Sequence, residues 1–133
     1  MMKFMKCEMC GNIITHLKDS GVIPQCCGSP MKQLVPGIIE GAGEKHIPVI
    51  KIVTGTIDSR RARTIVVEVG EYLHPMSPDH YVQWIILETN KGFRVHYLEP
   101  IDQPRAEFLL SPDEDAIAAY EYCNVHGLWR AEM

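Results

Sequence analysis

The chain has 133 residues, of which 46% are hydrophobic and 23% are charged, and this composition excludes a wholly disordered protein. The formal net charge of -4 argues against nucleic acid as a partner, because proteins that bind it usually carry a basic face. No apolar run approaches the roughly 18 residues that span a bilayer, and Cys7 comes too early for a secretory signal. We therefore expect a cytoplasmic protein that binds neither nucleic acid nor a membrane.

The N-terminal part of the chain is rich in cysteine. Four of the five cysteines lie within the first 27 residues, and the fifth is Cys123. A segment of about 36 residues buries too little apolar surface to fold without a disulfide or a metal. Pro36-Gly37 interrupts the chain after this segment. The sequence therefore predicts a small metal-bound module over residues 1–36 and a second domain over residues 37–133.

The second domain reads as a series of short strands separated by turn residues, which is typical of an all-β sandwich. The predicted strands cover residues 47–56, 64–69, 81–88, 93–98, 105–110 and 116–123. Residues 113–119 are also compatible with a helical turn. The alternation of Ala116, Ala118, Tyr120 and Tyr122 favours a strand instead, because alternate side chains of a strand share one face.

The first group of candidate ligands is Cys7-x2-Cys10 with the adjacent pair Cys26-Cys27. Four thiolates suit a tetrahedral zinc or a single iron, and the spacing alone does not choose between them. Two neighbouring cysteines bind one metal less easily than a Cys-x2-Cys turn, so we expect a distorted tetrahedron. Free thiols or a disulfide are the alternative, and a reducing cytosol disfavours the disulfide.

The second group lies in loops and at strand ends, where functional groups are usually displayed. It consists of three separate histidine-bearing segments and a Cys-x2-His sequence, namely His46, His74, His80 and Cys123 with His126. This pattern favours one shared metal. A blue-copper site, with Met133 as a further ligand, is a competing interpretation, but it needs only two histidines and one cysteine.

Taken together, these residues resemble the desulfoferrodoxin family, the two-iron form of superoxide reductase. The resemblance runs from about Lys6 to Trp129. It is carried by the four N-terminal cysteines and by the sequences Glu44-Lys45-His46-x-Pro48, His74-Pro75-Met76-x3-His80-Tyr81-x2-Trp84 and Cys123-Asn124-x-His126-Gly127-x-Trp129. It implies a desulforedoxin-like N-terminal module followed by an immunoglobulin-like β-sandwich.

The resemblance also implies two mononuclear irons per chain. Cys7, Cys10, Cys26 and Cys27 would bind the first, and His46, His74, His80, His126 and axial Cys123 the second. Lys45 would attract superoxide, and Glu44 would bind the oxidised second iron. The implied reaction is one-electron reduction of superoxide to hydrogen peroxide, with a rubredoxin-like electron donor and a homodimeric assembly. The alternatives are a blue-copper-like electron carrier, a zinc-ribbon binding module and a superoxide dismutase.

One basic segment, Arg60-Arg61-Ala62-Arg63, belongs to none of these motifs. We interpret it as the solvated tip of a hairpin. A docking patch for an acidic electron donor is the other interpretation, because three arginines lie close together there.

Overall fold

The computed structural model describes residues 1–39 and 45–133. Their backbone contacts divide the chain into two compact units, Met1–Val35 and Pro36–Met133. All regular elements of the described residues are β-strands, which confirms the all-β prediction. None of the described residues forms a helix long and apolar enough to cross a bilayer.

The first unit contains five short strands: β1 (Phe4–Lys6), β2 (Ile13–Thr15), β3 (Gln25–Cys26), β4 (Ser29–Pro30) and β5 (Lys32–Leu34). Strand β1 pairs antiparallel with β2 and β5, and β3 pairs with β4. The buried cluster of this unit is made of Met5, Cys7 and Met31, with Cys26 packed against it. So small a core stabilises little by itself, and the unit depends on a further constraint.

The second unit contains seven strands: β6 (Pro48–Ile57), β7 (Arg60–Val69), β8 (Val82–Thr89), β9 (Gly92–Tyr97), β10 (Arg105–Leu110), β11 (Ala116–Cys123) and β12 (Gly127–Glu132). They form a three-stranded sheet of order β10-β7-β6 and a four-stranded sheet of order β12-β11-β8-β9. All pairings are antiparallel. This arrangement confirms the predicted β-sandwich, including the choice of a strand over a helical turn for Ala116–Cys123.

The core of the sandwich lies between the two sheets. Every second residue of β7, namely Ile65, Val67 and Val69, meets Ile85 and Leu87 of β8 in one buried cluster. Inward-facing aliphatic side chains at every second position are what a sheet with one buried face requires. Burial of each such side chain stabilises the fold by about 1.5–3 kcal/mol.

The hairpin between β6 and β7 differs from the prediction. Asp58 and Ser59 both adopt positive φ angles, 49° and 63°, as a two-residue type I′ turn requires. Ile57 therefore pairs directly with Arg60, and the strand begins at Arg60 instead of residue 64. The arginine segment thus lies in β7, and the interpretation of all four residues as a hairpin tip was wrong.

Strand β12 was missed because its sequence does not alternate between apolar and polar residues. Arg130 occupies a buried position of this strand and is 8% exposed. Its Nε donates a hydrogen bond to the hydroxyl of Tyr120 at 3.1 Å, and one of its terminal nitrogens contacts Glu132 at 2.9 Å. A buried cation that is paired in this way replaces an apolar residue without exposing the strand.

The topology brings the ends of several strands together at one end of the sandwich. The start of β6 at Pro48 pairs with the end of β7 at Val69. In the other sheet, the end of β11 at Cys123 pairs with the start of β8 and with the start of β12. The segments that carry the candidate histidines are joined to these strand ends, while the Asp58-Ser59 turn closes the opposite end of the β6–β7 hairpin.

Candidate metal centres

The first unit brings its four cysteines into one group. One sulfur from each of Cys7, Cys10, Cys26 and Cys27 lies within 4.8 Å of the others. The sulfurs of Cys10 and Cys26 are 3.5 Å apart, and those of Cys26 and Cys27 are 4.0 Å apart. Metal–sulfur bonds of about 2.3 Å in a tetrahedron separate the sulfurs by about 3.8 Å. The spacing fits a metal and is too long for a disulfide, whose sulfurs are about 2.05 Å apart.

Two turns present these sulfurs. In the first, the amide of Gly11 donates to the Cys7 carbonyl at 2.9 Å, and the amide of Cys10 points to the Cys7 sulfur at 3.5 Å. In the second, Cys27 has a φ of 51° and is followed by Gly28 at 74°. Non-glycine residues rarely adopt this left-handed conformation. It allows two adjacent cysteines to contribute to one group.

The pKa values of these thiols also agree with a site for a bound cation. The backbone amide of Cys10 is the main cause that lowers the pKa of Cys7 to about 6. The neighbouring thiols of Cys10 and Cys7 raise the pKa of Cys27 to about 12. Crowded thiolates repel one another, so the group cannot hold four negative charges by itself. A bound metal ion removes this repulsion, which is why sulfur sites of this kind couple metal binding to folding.

The second unit brings together ligands from three separate segments. Ligand atoms of His46, His74, His80 and Cys123 all lie within 4.8 Å of one another. His46 precedes β6, His74 and His80 belong to the connection between β7 and β8, and Cys123 ends β11. His46, His74 and Cys123 are 5%, 3% and 0% exposed. The low exposure indicates that these groups are held by the fold and are not displayed in solvent.

The imidazole of His126 joins those of His46, His74 and His80, and the four form a closed ring. Successive ring centroids are 4.9 Å apart for His46 and His74, 4.8 Å for His74 and His80, 5.2 Å for His80 and His126, and 4.7 Å for His126 and His46. The planes of neighbouring rings are inclined by 62° to 86°. Four rings arranged edge to face in this way can direct one nitrogen each toward a common centre.

The nitrogen atoms support this interpretation. Nε2 of His46 lies 3.1 Å from Nδ1 of His126. Two nitrogens bound at right angles to one metal, at about 2.1 Å each, would be about 3 Å apart. Nδ1 of His74 is 2.7 Å from the carbonyl oxygen of Pro75, so it carries the proton and leaves Nε2 as the basic nitrogen. Such a carbonyl partner is usual for a metal-binding histidine.

The two sides of the histidine ring differ in exposure. The sulfur of Cys123 is buried and accepts the amide of His126 at 3.5 Å, whereas the side chain of His126 is exposed. The group therefore extends from the buried interior at Cys123 to the protein surface at His126. Met133 follows the far end of β12, where its amide donates to the carbonyl of Ile117 at 2.9 Å, while Cys123 pairs with Gly127 at the opposite end of that strand, so the arrangement does not support a blue-copper site with Met133 as a ligand.

Lys45 and Glu44 precede His46 in the sequence. Lys45 is half-buried, and its backbone packs closely against Gly70. A Cβ atom at Gly70 would lie 2.6 Å from the Lys45 carbonyl oxygen, so only glycine fits there without moving the segment. Glu44 lies outside the described residues.

Two residues of this site were quoted in the sequence motifs without a role. Trp129 stacks on His46, with ring centroids 4.8 Å apart and an angle of 14° between the planes. Asn124 lies between Cys123 and His126 and binds the backbone next to His80. Their presence in the motifs was the only sequence signal, because both contacts join residues that are distant in the chain.

Comparison with known proteins agrees with this geometry. A sequence model of the family described as Desulfoferrodoxin matches residues 39–132. Desulfoferrodoxin from Nitratidesulfovibrio vulgaris is 41% identical over 127 residues, which cover 96% of this chain and 93% of that protein. Superoxide reductase from Pyrococcus horikoshii is 34% identical over 107 residues, or 68% of this chain and 87% of that protein.

A solved structure extends the similarity to the whole chain. The crystal structure of the superoxide reductase from Treponema pallidum superposes with a TM-score of 0.81 at 27% identity, and the match covers 99% of this chain and 98% of that one. The family model, the relatives and this structure confirm the resemblance that the sequence motifs carry. The chain belongs to the desulfoferrodoxin family.

Proposed function

We propose that the protein is a superoxide reductase, which reduces superoxide by one electron to hydrogen peroxide with the uptake of two protons. The observation that carries this proposal is the closed ring of four imidazoles beside the buried sulfur of Cys123. The names of the Pyrococcus and Treponema proteins support the same activity.

We propose that His46, His74, His80, His126 and Cys123 hold one iron, and that Cys7, Cys10, Cys26 and Cys27 hold another. When bound by the histidines and the thiolate, ferrous iron would supply the electron that superoxide takes up. The four-cysteine group has no open position for a substrate, so its residues serve to fold the first unit or to hold an iron that passes electrons. On this basis residues 1–36 are the desulforedoxin-like module and residues 37–133 the catalytic domain.

Lys45 is proposed to attract the substrate. Superoxide is an anion, and the chain has a net charge of -4, so the attraction must be local. A cation beside an open site raises the concentration of an anionic substrate and its rate of association. Lys45 directly precedes His46, and its packing against Gly70 fixes its backbone. Glu44 is proposed as the carboxylate that binds the oxidised centre, because it precedes Lys45 in the same segment.

The physiological setting is also proposed. We assign the electron supply to a rubredoxin-like protein, the location to the cytoplasm and the assembly to a homodimer. The edge strand β6 supports a dimer, because Ile52 and Val53 are 53% and 51% exposed on it. A long, apolar edge strand is prone to pair with another chain unless something covers it.

The test uses protein that is purified without oxygen, reduced and analysed for iron. A known amount of superoxide is added, and the peroxide and dioxygen formed are counted. We expect one peroxide per superoxide, no dioxygen and oxidation of the histidine-bound iron. Half a peroxide per superoxide together with dioxygen would instead identify a dismutase. No acceleration by protein with both irons would exclude the enzyme and leave an electron carrier.

A further inference from the structure

The turn between β11 and β12 carries two of the proposed ligands, Cys123 and His126. Asn124 lies between them in the sequence. Asn124 is exposed, and the side chain of an asparagine in a turn usually binds its own backbone two residues further on. The contacts of this particular asparagine are different, because they reach the segment that carries a third proposed ligand.

Asn124 binds the backbone on both sides of His80. Its Oδ1 accepts a hydrogen bond from the amide of Tyr81 at 2.9 Å, and its Nδ2 donates one to the carbonyl of Asp79 at 3.0 Å. Its own amide donates to the carbonyl of Tyr81 at 3.2 Å. An amide side chain offers an oxygen that accepts and a nitrogen that donates, and here the oxygen meets a backbone amide and the nitrogen meets a backbone carbonyl. The residue before His80 and the residue after it are thus both bound to one side chain.

These bonds replace a sheet connection that is interrupted at this point. Strands β8 and β11 pair in regular register as far as Trp84 and Tyr122, and the register then shifts before Cys123 pairs with Val82. The segment before β8 has its own bonds between Ser77 and His80, at 3.0 and 3.1 Å. Those bonds fix the shape of the segment. The bonds of Asn124 fix where it lies relative to Cys123.

We propose that Asn124 is a positioning residue that holds His80 at its place relative to Cys123 and His126. The proposal rests on the metal centre of the proposed function. Without the side-chain bonds, the His80 segment can move away from the turn, and the imidazole no longer stays at a fixed distance from the thiolate. Partners that orient metal ligands in this way typically change metal affinity by about 10- to 100-fold when removed.

The chain contains a closely matched control. Asn90 accepts a hydrogen bond from the amide of Asp115 at 2.8 Å, donates from its side chain to the carbonyl of Asp113 at 3.3 Å, and donates from its amide to the carbonyl of Asp115 at 3.1 Å. Asn90 thus binds Asp115 and Asp113 with the same three hydrogen bonds by which Asn124 binds Tyr81 and Asp79. Asn90 follows the end of β8 and is far along that strand from His80.

The experiment compares Asn124→Ala, Asn90→Ala and the unaltered protein, each as the full chain loaded with iron at both centres. Iron at the histidine-bound centre is removed by competition with a chelator, and the reduction potential of that centre is measured. The four-cysteine centre in the same molecules serves as an internal reference for iron loading, and the thermal transition of the sandwich reports its folding. Asn124→Ser, which keeps a hydroxyl near the Tyr81 amide, is the milder variant if Asn124→Ala does not fold.

We expect Asn124→Ala to weaken iron binding at the histidine-bound centre by about 10- to 100-fold and to shift its potential. The four-cysteine centre should be unchanged, Asn124→Ser should lose less, and Asn90→Ala should bind iron as the unaltered protein does. Normal affinity and potential in both Asn124 variants, or an equal loss in Asn90→Ala, would overturn the positioning role. Unaltered protein that binds no iron at the histidines would instead contradict the proposed function.

Discussion

The indole ring of Trp129 stacks almost parallel on the imidazole of His46, with the ring centroids 4.8 Å apart. Nε1 of Trp129 also donates a hydrogen bond to the carbonyl of His126 at 3.2 Å. One side chain thus contacts two of the four imidazole-bearing residues. The segment from Asn124 in the turn to Trp129 in β12 therefore contacts both His46 and the backbone beside His80.

Gly37 limits the space that Trp129 can occupy. Its amide donates to the carbonyl of Leu128 at 2.8 Å, and its carbonyl accepts from the amide of Arg130 at 3.0 Å. A Cβ atom at Gly37 would lie 2.5 Å from Cε3 of Trp129. We predict that Gly37→Ala destabilises the protein by about 1–3 kcal/mol, because the indole must move from its stacked position on His46. Denaturant unfolding of the iron-loaded protein measures this.

The control for this prediction is Gly55→Ala in strand β6. A Cβ atom at Gly55 would meet no atom within 4 Å. This variant introduces the same methyl group, and its stability should stay within about 0.5 kcal/mol of the unaltered protein. Equal unfolding curves for Gly37→Ala and the unaltered protein would show that the indole has room to move.

Lys45→Ala should slow the reaction with superoxide by up to about 10-fold at low ionic strength, because a cation next to the open site is lost. The rate should also depend less on salt, since the screened attraction is gone. Rapid-mixing or pulse-radiolysis measurements over a range of salt concentrations determine both quantities. Lys51→Ala is the matched control, because it removes one lysine that is paired with Glu68 at 3.0 Å on β6. Equal rates for the two variants would remove the steering role of Lys45.

Most of the strands and the composition of both metal-binding groups could be predicted from the sequence. Runs of β-branched or aromatic residues between turns marked five of the seven sandwich strands, and alternation marked a sixth. The spacing of cysteines and histidines identified the ligand types. Strand β12 escaped because the buried Arg130 hides its alternation. The length of the β6–β7 hairpin was not predicted, because it depends on positive φ angles at two non-glycine residues, Asp58 and Ser59.

The relationships within the site could not be predicted in the same way. The sequence shows that Trp129 and Asn124 are present. It does not show that Trp129 stacks on His46 or that Asn124 binds the backbone beside His80. Such contacts arise from the pairing of strands that are far apart in the chain, and a local pattern carries no information about them. A resemblance of motifs can name these residues without saying what they touch.

The four-cysteine group should fold the first unit without being needed by the sandwich. Cys10→Ser removes one of its sulfurs, and the buried cluster of Met5, Cys7 and Met31 is too small to hold the unit together alone. We predict that iron falls from two to one per chain and that the first unit loses protection from proteolysis. The sandwich should keep its thermal transition and the iron of the histidine group. Loss of both irons in Cys10→Ser would show that the second centre depends on the first.

Glu114 stabilises the sandwich through its ionised form. The hydroxyl of Thr89 donates to its carboxylate at 2.8 Å, the amide of Ser111 at 3.1 Å, and the guanidinium of Arg94 at 2.6 Å. The Thr89 bond is the main cause that lowers the pKa of Glu114, followed by the Ser111 amide, with Arg94 contributing further. Because the pKa is lower in the folded state, this stabilisation is complete above the unfolded value of about 4.3 and is lost as the pH falls through the folded value.

We therefore predict that Glu114→Gln lowers the free energy of unfolding by about 1–3 kcal/mol at neutral pH. The difference from the unaltered protein should shrink as the pH falls below about 4, where the carboxylate becomes protonated. Glu107→Gln is the control, because Glu107 is exposed and its ion pair with Arg105, at 2.6 Å, lies at the surface. A pH-independent difference for Glu114→Gln would mean that packing, and not charge, is responsible.

The arginines at the start of β7 should not deliver the electron donor to the histidine-bound centre. Strand β6 runs for 10 residues from Pro48, beside His46, to Ile57 at the turn, a length of about 30 Å. Arg63 is also occupied, since it binds Asp115 at 3.0 Å and the carbonyl of Glu114 at 2.6 Å. Only Arg60 and Arg61 remain exposed there.

We predict that a rubredoxin-like donor reduces the double variant Arg60→Glu and Arg61→Glu at the rate of the unaltered protein, to within about twofold. Electron transfer falls off steeply with distance, and a donor held at this turn would be too far from the histidine-bound iron. Stopped-flow measurement of the histidine-bound iron tests this. Repeating it at several salt concentrations shows whether the donor reaction responds to charge at all. If it does and the variant is still several-fold slower, the two arginines are a docking site and the electron must enter from that end of the sandwich.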